Sequence, residues 1–237
     1  MLIETKGLKK IYSIGGSDTP ALNGINLEIN EGEFVAIIGP SGSGKSTLLQ
    51  ILGCLDRPTS GEYFLDGKEI SKYSDDELAY LRNRKFGFVF QSFNLLGRLS
   101  VLENVELPLV YAGISEDKRK TAAKKVIDSV GLSDRIDFET MRLSGGQKQR
   151  AAIARALVNE PRIIFADEPT GNLDSKSGEV ILEFFEKLHE NGHTIVLVTH
   201  ETFLAESAER IIHLKDGLIE KEETVNHKSF REKKFFK

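Results

Sequence analysis

Polar and apolar residues alternate in several segments of this chain, and the alternation predicts strands with one buried face. Segments 2–12 and 22–29 show this pattern, and segment 62–65 repeats it just before Asp66-Gly67, a turn signal. Near the other end, residues 211–214 and 218–221 flank Asp216-Gly217, which predicts a hairpin.

Other runs are apolar throughout, which suits a parallel sheet covered by helices on both faces. These runs are residues 34–38, 163–166 and 194–198. Helical patterns alternate with them at residues 45–52, 147–157 and 177–188. The alternation predicts an α/β arrangement with right-handed crossovers.

The pattern changes between residues 93 and 143, where no strong strand signal occurs. Residues 117–130 predict an amphipathic helix that Gly131 ends. We therefore expect a helical subdomain of about 93–143 inserted into the sheet domain. The tail at 226–237 is polar and basic, and we expect it to be mobile, either solvated or touching anionic lipid headgroups.

The composition narrows the classes of function. Of 237 residues, 40% are apolar and 29% are charged, with a formal net charge of −4. This balance is typical of a globular protein and argues against a nucleic-acid partner. The single cysteine, Cys54, excludes an internal disulfide, and we interpret it as a small buried hydrophobe.

Nothing in the apolar pattern predicts a segment that crosses or enters a membrane. The longest apolar runs are about five residues, against the ~20 that a bilayer requires. The first residues show no basic stretch before an apolar block, so we expect no secretory signal. We expect a cytosolic chain whose membrane role, if any, comes through a partner.

A glycine-rich segment between the apolar run 34–38 and the helical pattern from Lys45 matches the phosphate-loop pattern. Its candidate phosphate-binding residues are Gly39, Ser41, Gly42, Ser43, Gly44, Lys45, Ser46 and Thr47. In such a loop, backbone N–H groups and the helix N-terminus surround an anion. Lys45 is expected to reach the β and γ phosphates, and the Ser46 hydroxyl to bind Mg²⁺.

The apolar run 163–166 leads directly into Asp167 and Glu168. A buried strand delivers such carboxylates to its C-terminal edge, where ligands of α/β proteins bind. Asp167 is predicted to hold Mg²⁺, directly or through water. Glu168 faces elsewhere and is predicted to act on the attacking water as general base.

A second phosphate-binding helix start is predicted about a hundred residues after the first. The segment Leu143-Ser144-Gly145-Gly146-Gln147 precedes a helical pattern rich in Ala and Arg. A serine and two glycines at a helix start favour an anion-binding nest. The candidate ligands are Ser144, Gly145, Gly146 and Gln147.

With these motifs in this order, the chain resembles the nucleotide-binding subunits of ABC transporters over about residues 2–220. The resemblance implies a P-loop NTPase (RecA-like) fold: a mostly parallel sheet core, an N-terminal antiparallel β subdomain and the inserted helical subdomain. Residues 1–225 would form one nucleotide-binding domain. It also implies an ATPase with ATP and Mg²⁺ as cofactors. The signature at Ser144 of one copy would close over ATP held by the partner's phosphate loop, in a head-to-tail dimer.

Further site residues are implied by the resemblance alone. Tyr12 resembles the aromatic that stacks on adenine, where the alternative is a core tyrosine. Gln91 resembles the glutamine that senses Mg²⁺ and links to the permease. Asp174, in Asn172-Leu173-Asp174, resembles part of the loop crossing the dimer interface, and His200 the histidine that contacts the γ-phosphate.

A finer resemblance points to the branch that serves macrolide export and lipoprotein release. It is carried by segments 51–61, 88–96 and 102–109. It favours export or extraction of a peptide, drug or lipoprotein by a permease at the cytoplasmic face of the cell membrane. Residues 139–142 lack the proline that such subunits often carry before the signature, so contacts with the permease are expected to differ.

Two alternatives stay open at this point. One is a non-transporting ABC-type switch at the membrane, acting in division or signalling. The other is an ABC-type assembly factor that works without a membrane partner. Repair-type relatives are disfavoured because the sequence has no heptad tract, and translation-type relatives because the chain has room for one ATPase domain.

Overall fold

The computed structural model describes residues 1–225, so the predicted mobile tail at 226–237 lies outside the described residues. The chain divides into two compact units. Of the described residues, the first combines 1–78 with 186–225, and the second is 79–185.

The strands in chain order are β1 (Ile3–Ile14), β2 (Ser17–Ile29), β3 (Phe34–Ile38), β4 (Ser60–Leu65), β5 (Lys68–Glu69), β6 (Phe86–Phe90), β7 (Ile163–Asp167), β8 (Thr194–Val198), β9 (Arg210–Lys215) and β10 (Leu218–Thr224). The helices are α1 (Lys45–Leu52), α2 (Asp75–Lys85), α3 (Val101–Tyr111), α4 (Glu116–Ser129), α5 (Gly145–Leu157), α6 (Ser175–Glu190) and α7 (Thr202–Ala205). Single 3-10 turns occupy Ser133–Arg135 and Thr140–Arg142.

The first unit contains the predicted antiparallel sheet, in the strand order β2-β1-β4-β5. Its long strands β1 and β2 pair from Ile3 opposite Ile29 to Ile14 opposite Ser17, with shifts of register after Thr5, after Leu8 and after Lys10. The alternation in the sequence corresponds to one buried face, which includes Leu8, Leu22 and the start of β1. Half-buried strands therefore explain the alternating pattern.

The first unit also contains the parallel strands that carry the phosphate loop. Strand β3 pairs in parallel with both β8 and β9, and β9 pairs antiparallel with β10. Every residue of β8 is buried, as are Phe34 to Ile37 of β3. The predicted parallel arrangement of these apolar runs and the predicted hairpin are confirmed.

The second unit is built on the parallel pair β6 and β7, which runs in register from Phe86 opposite Ile163 to Phe90 opposite Asp167. The rings of Phe86 and Phe165 meet edge to face with centroids 5.3 Å apart, and Phe88 stacks on Phe165 at 5.7 Å. Helices α3, α4 and α5 pack on one another, and α5 also packs on β6. The pair of strands is thus anchored to the helix that carries the second glycine-rich motif.

Helices α2, α3 and the short α7 lie where the sequence patterns predicted no individual helix. Helix α2 is polar on nearly all sides, with only Leu78 buried, so it has no apolar period to read. Helix α3 has a buried stripe at Val101, Val105 and Leu109 and a capping box at Ser100, signals that the sequence does contain. Among residues 1–225, none of the helices has both the length and the apolarity needed to cross a bilayer.

Candidate functional site

The predicted site residues fall into two groups, one in each compact unit. The first unit contains Tyr12, the loop residues Gly39 to Thr47, and His200. The second unit contains Gln91, Ser144, Gly145, Gly146, Gln147, Asp167, Glu168 and Asp174.

The phosphate loop connects the end of β3 to the start of α1, as predicted. Gly44 is the N-cap of α1 and has a left-handed backbone, with φ 100°. A Cβ atom on Gly44 would lie 2.4 Å from the carbonyl oxygen of Ala21. Gly42 also has a positive φ, 80°, but a Cβ atom on Gly42 would meet nothing within 4 Å. Gly44 therefore allows a close approach of backbone to backbone that no other residue permits.

Lys45, the first residue of α1, is buried and folds back over the loop. Its Nζ donates hydrogen bonds to the carbonyl oxygens of Gly39 and Pro40, each at 2.9 Å. These partners are neutral, and the first turn of α1 contains no acidic residue. The charge of Lys45 and the positive end of the helix dipole would therefore act together on an anion placed at this loop.

Ser43 provides a direct test of whether the loop fits a phosphate. Its hydroxyl is buried, and the described residues provide no hydrogen-bond partner for Oγ. A buried hydroxyl without a partner is costly and rare, and an incoming ligand can satisfy it. Ser46 and Thr47 lie in the first turn of α1, beside this hydroxyl in sequence. The loop therefore fits the phosphate groups of a nucleotide.

Tyr12 lies on β1 and is only half-buried, so it is not a core tyrosine. Its phenol donates a hydrogen bond of 2.8 Å to Asp56, and Lys10 bonds the other carboxylate oxygen at 2.7 Å. The Lys10 ammonium also lies 4.8 Å from the centre of the Tyr12 ring. Burial, and then the bond to Asp56, raise the pKa of the Tyr12 phenol above its ordinary value. The ring is thus held in a fixed orientation.

His200 directly follows β8 and is exposed. The strand places it at the C-terminal end of a parallel pair, the same end at which β3 leads into the phosphate loop. Next to it, the Thr199 hydroxyl accepts a bond of 3.0 Å from the Glu201 backbone, which fixes the turn. The geometry suits a side chain that faces a ligand at this edge.

In the second unit, the pairing of β6 with β7 brings three predicted residues to one edge. Phe90 lies opposite Asp167, so Gln91 and Glu168 are the next residues on adjacent parallel strands. Glu168 has a left-handed backbone, with φ 46°. A strained conformation of this kind occurs more often at functional sites than elsewhere.

The donor atoms at this edge also fit Mg²⁺. Asp167 offers a carboxylate and Gln91 an amide oxygen. These are hard oxygen ligands, and Mg²⁺ in nucleotide sites combines one or two of them with phosphate oxygens and water.

The second glycine-rich motif forms a capped helix start. The Ser144 hydroxyl accepts from the Gln147 backbone N–H, and the Gln147 side chain accepts from the Ser144 N–H at 3.0 Å. This capping box does not involve the N–H groups of Gly145 and Gly146. A Cβ atom on Gly146 would lie 2.9 Å from the Ser177 hydroxyl, so the glycine also permits close packing against α6.

Asp174 precedes α6 and caps it. Its carboxylate accepts hydrogen bonds from the backbone N–H of Ser177 at 3.0 Å and from the Ser177 hydroxyl at 2.7 Å. The backbone bond, followed by the hydroxyl bond, holds the pKa of Asp174 below its ordinary value. The cap fixes the loop 171–174 next to the Ser144 motif, because Leu173 lies 3.3 Å from where a Cβ on Gly145 would be.

Sequence reasoning missed residues that hold these groups in place. Asp56 orients Tyr12, as described above. Gln149 is completely buried on α5 and donates from Nε2 to the carbonyl oxygen of Pro169, directly after Glu168. The polar residue in the apolar stripe of α5 is the one signal that could have identified Gln149.

Comparison with known families settles the membership of the chain. The model of the ABC transporter family matches residues 22–171. The chain belongs to the ABC transporter family. An ATP-binding protein of this family from Thermotoga maritima, described as uncharacterized, is 56% identical over 92% of this chain and 94% of its own length. The macrolide export ATP-binding/permease protein MacB of Syntrophobacter fumaroxidans is 52% identical over 93% of this chain and 31% of its own length.

Solved structures of ABC transporter cassettes have the same fold. The dimeric bacterial cassette MJ0796 superposes with a TM-score of 0.89 and 49% identity, over 95% of this chain and 100% of the cassette. A post-hydrolysis state of that cassette, bound to ADP and Pi, gives the same TM-score at 48% identity. The predicted P-loop NTPase fold and the prediction of an ATP-hydrolysing ABC transporter subunit are confirmed.

Proposed function

We propose that two copies of this chain bind Mg²⁺ and ATP between them, head to tail, and that hydrolysis drives a membrane permease at the cytoplasmic face. The observation that carries the proposal is the presence of two glycine-rich helix starts in one chain, with N-caps at Gly44 and at Ser144, each suited to an anion. The bacterial cassette MJ0796, which is 49% identical to this chain, supports the dimer because its structure is dimeric.

The first unit would hold the nucleotide. Lys45 would exchange its two loop carbonyls for phosphate oxygens, and the buried Ser43 hydroxyl would donate to the same group. Tyr12 would stack on adenine with its ring fixed by Asp56. His200, at the C-terminal end of β8, would contact the γ-phosphate. These roles suit the phosphate loop, because Lys45 has neutral carbonyl partners there and the first turn of α1 contains no acidic residue.

The second unit would perform the reaction. Glu168 would take the proton of the water that attacks the γ-phosphate, and Gln91 would orient that water. Asp167, Gln91 and Ser46 would hold Mg²⁺, which when bound neutralises the charge that develops on the phosphates. The N–H groups of Gly145 and Gly146 in one copy would face the γ-phosphate in the other, while the capping box keeps the helix start rigid.

We further propose that transport is outward. The macrolide export ATP-binding/permease protein MacB of Syntrophobacter fumaroxidans, 52% identical over 93% of this chain, supports this direction. Large apolar side chains of the second unit support a partner surface. They are exposed by 43–77% and include Leu96, Val110, Tyr111, Phe138 and Met141.

Dimers that contain two different variants test whether each ATP site is shared between the two chains. Lys45→Ala removes charge from the phosphate loop and leaves the Ser144 motif intact. Gly145→Asp places a negative charge at the helix start and leaves the phosphate loop intact. Each variant alone forms dimers with two defective sites, so each should be nearly inactive.

Mixing the two variants should restore activity if each site uses both chains. A mixed dimer then has one site with both defects and one intact site. Random mixing makes about half the dimers mixed, and each mixed dimer has one intact site of two, so independent sites would restore about a quarter of normal hydrolysis. Coupling between the two sites would lower this fraction. ATP-dependent dimerisation should therefore be measured in parallel with hydrolysis. If mixed dimers form but neither readout recovers, the shared site is refuted.

A further inference from the structure

The turn that follows Gln91 has an unusual backbone. Phe93 and Asn94 are consecutive and both left-handed, with φ 62° and 51°. Asparagine tolerates this region, but phenylalanine adopts it rarely. Short bonds within the turn, from the Phe93 N–H to the Phe90 carbonyl at 3.1 Å and from the Asn94 N–H to the Ser92 carbonyl at 2.6 Å, keep it compact. Surrounding groups must hold such a conformation in place.

Arg155, on α5, supplies that restraint. Its guanidinium donates from Nη2 to the carbonyl oxygen of Phe93 at 3.0 Å and from Nη1 to that of Asn94 at 2.5 Å. The planar fork of arginine suits two adjacent acceptors, whereas a lysine has one point of charge. Both left-handed residues are therefore held from the same side by one side chain of the signature helix.

Gln91 itself is held from the other side by the loop before α6. The side-chain amide of Asn172 donates to the Gln91 carbonyl oxygen at 3.0 Å. The carboxamide of Gln91 lies against Gly171, since a Cβ atom there would be only 2.5 Å from Nε2. Both ends of the turn 91–94 are thus tied to segments that adjoin the proposed dimer interface.

We infer that Arg155 and Asn172 are positioning residues that fix Gln91 for its role toward Mg²⁺ and the attacking water. The inference rests on the proposed function of Gln91. It adds a physical link: α5, whose N-cap is Ser144, and the loop with Asp174 both determine where the turn 91–94 lies. Movement of either element on dimer closure is then passed to Gln91.

A purely structural role for Arg155 is the competing explanation, and α5 offers a matched control. Arg150, one helical turn and a fraction earlier, is half-buried like Arg155. Its Nη1 likewise donates to two consecutive carbonyls, of Val130 at 2.9 Å and Gly131 at 3.0 Å. Both arginines donate to two consecutive backbone carbonyl oxygens, but the turn that Arg150 holds follows α4, whereas the turn that Arg155 holds follows Gln91.

The first experiment compares Arg155→Lys with Arg150→Lys in the full chain. Hydrogen exchange of the Phe93 and Asn94 amides should accelerate in nucleotide-free Arg155→Lys and stay unchanged in Arg150→Lys. The Mg²⁺ concentration for half-maximal hydrolysis should rise about 2–10-fold in Arg155→Lys alone, the equivalent of one lost hydrogen bond. ATP binding without Mg²⁺ should be equal in both. Equal exchange and equal Mg²⁺ dependence in the two variants would overturn the inference.

Glycine at position 94 adds a rescue test. It takes the left-handed conformation without strain, so Asn94→Gly should return much of the lost Mg²⁺ response to Arg155→Lys. The absence of rescue would contradict the clamp. If Arg155→Lys does not fold, Asn172→Ala decides, because Asn172 is exposed and its loss should shift the Mg²⁺ midpoint in the same direction. An unchanged midpoint there also overturns the inference.

Gln91→Ala separates this inference from the proposed function on which it rests. If Gln91→Ala leaves the Mg²⁺ dependence unchanged, the proposed role of Gln91 is wrong. If Gln91→Ala shifts it and neither Arg155→Lys nor Asn172→Ala does, only the positioning role is wrong.

Discussion

A pair of alanine substitutions in the phosphate loop separates two demands that the loop places on its glycines. Gly42 and Gly44 both have positive φ, 80° and 100°. A Cβ at position 42 meets nothing within 4 Å, whereas one at position 44 lies 2.4 Å from the Ala21 carbonyl oxygen and 3.0 Å from the Leu22 side chain. Gly42→Ala thus tests backbone conformation alone, and Gly44→Ala adds a steric overlap.

The expected magnitudes follow from these distances. A left-handed alanine costs about 1–2 kcal/mol, and its stiffer unfolded chain returns about 0.4–1 kcal/mol, so Gly42→Ala should lower the free energy of unfolding by about 1 kcal/mol. At position 44 the backbone oxygen must also retreat by about 1 Å to reach an ordinary contact, and overpacking of this kind adds about 1–3 kcal/mol.

The assay is thermal unfolding of nucleotide-free protein, followed by circular dichroism. For a chain of this size, each kcal/mol should lower Tm by about 2–4 °C, so Gly44→Ala should unfold several degrees below Gly42→Ala. ATP should raise the Tm of Gly42→Ala more than that of Gly44→Ala, because stabilisation by a ligand follows its affinity. Equal Tm values for the two variants would refute the close approach of Gly44 to β2.

Three further predictions concern the second unit. Glu168→Gln keeps the size of the side chain but removes the base, so turnover should fall ~10²–10⁴-fold while ATP binding and ATP-dependent dimers persist; normal hydrolysis would refute the assignment. Gly171→Ala should push aside the Gln91 carboxamide and reduce hydrolysis without loss of Tm. The control is Gly178→Ala on α6, where a Cβ would make an ordinary contact of 3.6 Å with the Thr170 side chain; it should leave hydrolysis unchanged and raise Tm. Because the folded pKa of Asp174 is depressed, its carboxylate stabilises the fold fully above its unfolded pKa of about 3.9, and the contribution is lost as the pH falls through the lower folded value. The difference in stability between the wild-type chain and Asp174→Asn should therefore shrink below about pH 4, and a difference that stays constant would show that the cap is not ionic.

Sequence patterns predicted the fold best where burial is uniform. Strands β3 and β8 and helix α1 were predicted with the same bounds as observed, because a run that is apolar throughout or a phosphate loop leaves few alternatives. Strand β2 begins five residues earlier than predicted, at Ser17 instead of Leu22, since its first four residues are exposed and show no alternation. Helix α2 could not be found from periodicity, because only Leu78 faces the interior.

Whether a residue of the candidate site could be predicted from the sequence depends instead on what its side chain contacts. Lys45, Asp167 and Glu168 would act on phosphate, metal and water, and such chemistry requires particular side chains at particular spacings, so the sequence shows them.

Gln149 and Arg155 instead donate to backbone carbonyl oxygens, of Pro169 and of Phe93 and Asn94. Every residue has such an oxygen, so no partner in the sequence identifies the bond. At Phe93 a left-handed turn presents the carbonyl oxygen to Arg155, and the sequence does not reveal that turn. Residues that position a site through the backbone are therefore found by structure, even where the residues they position are plain in the sequence.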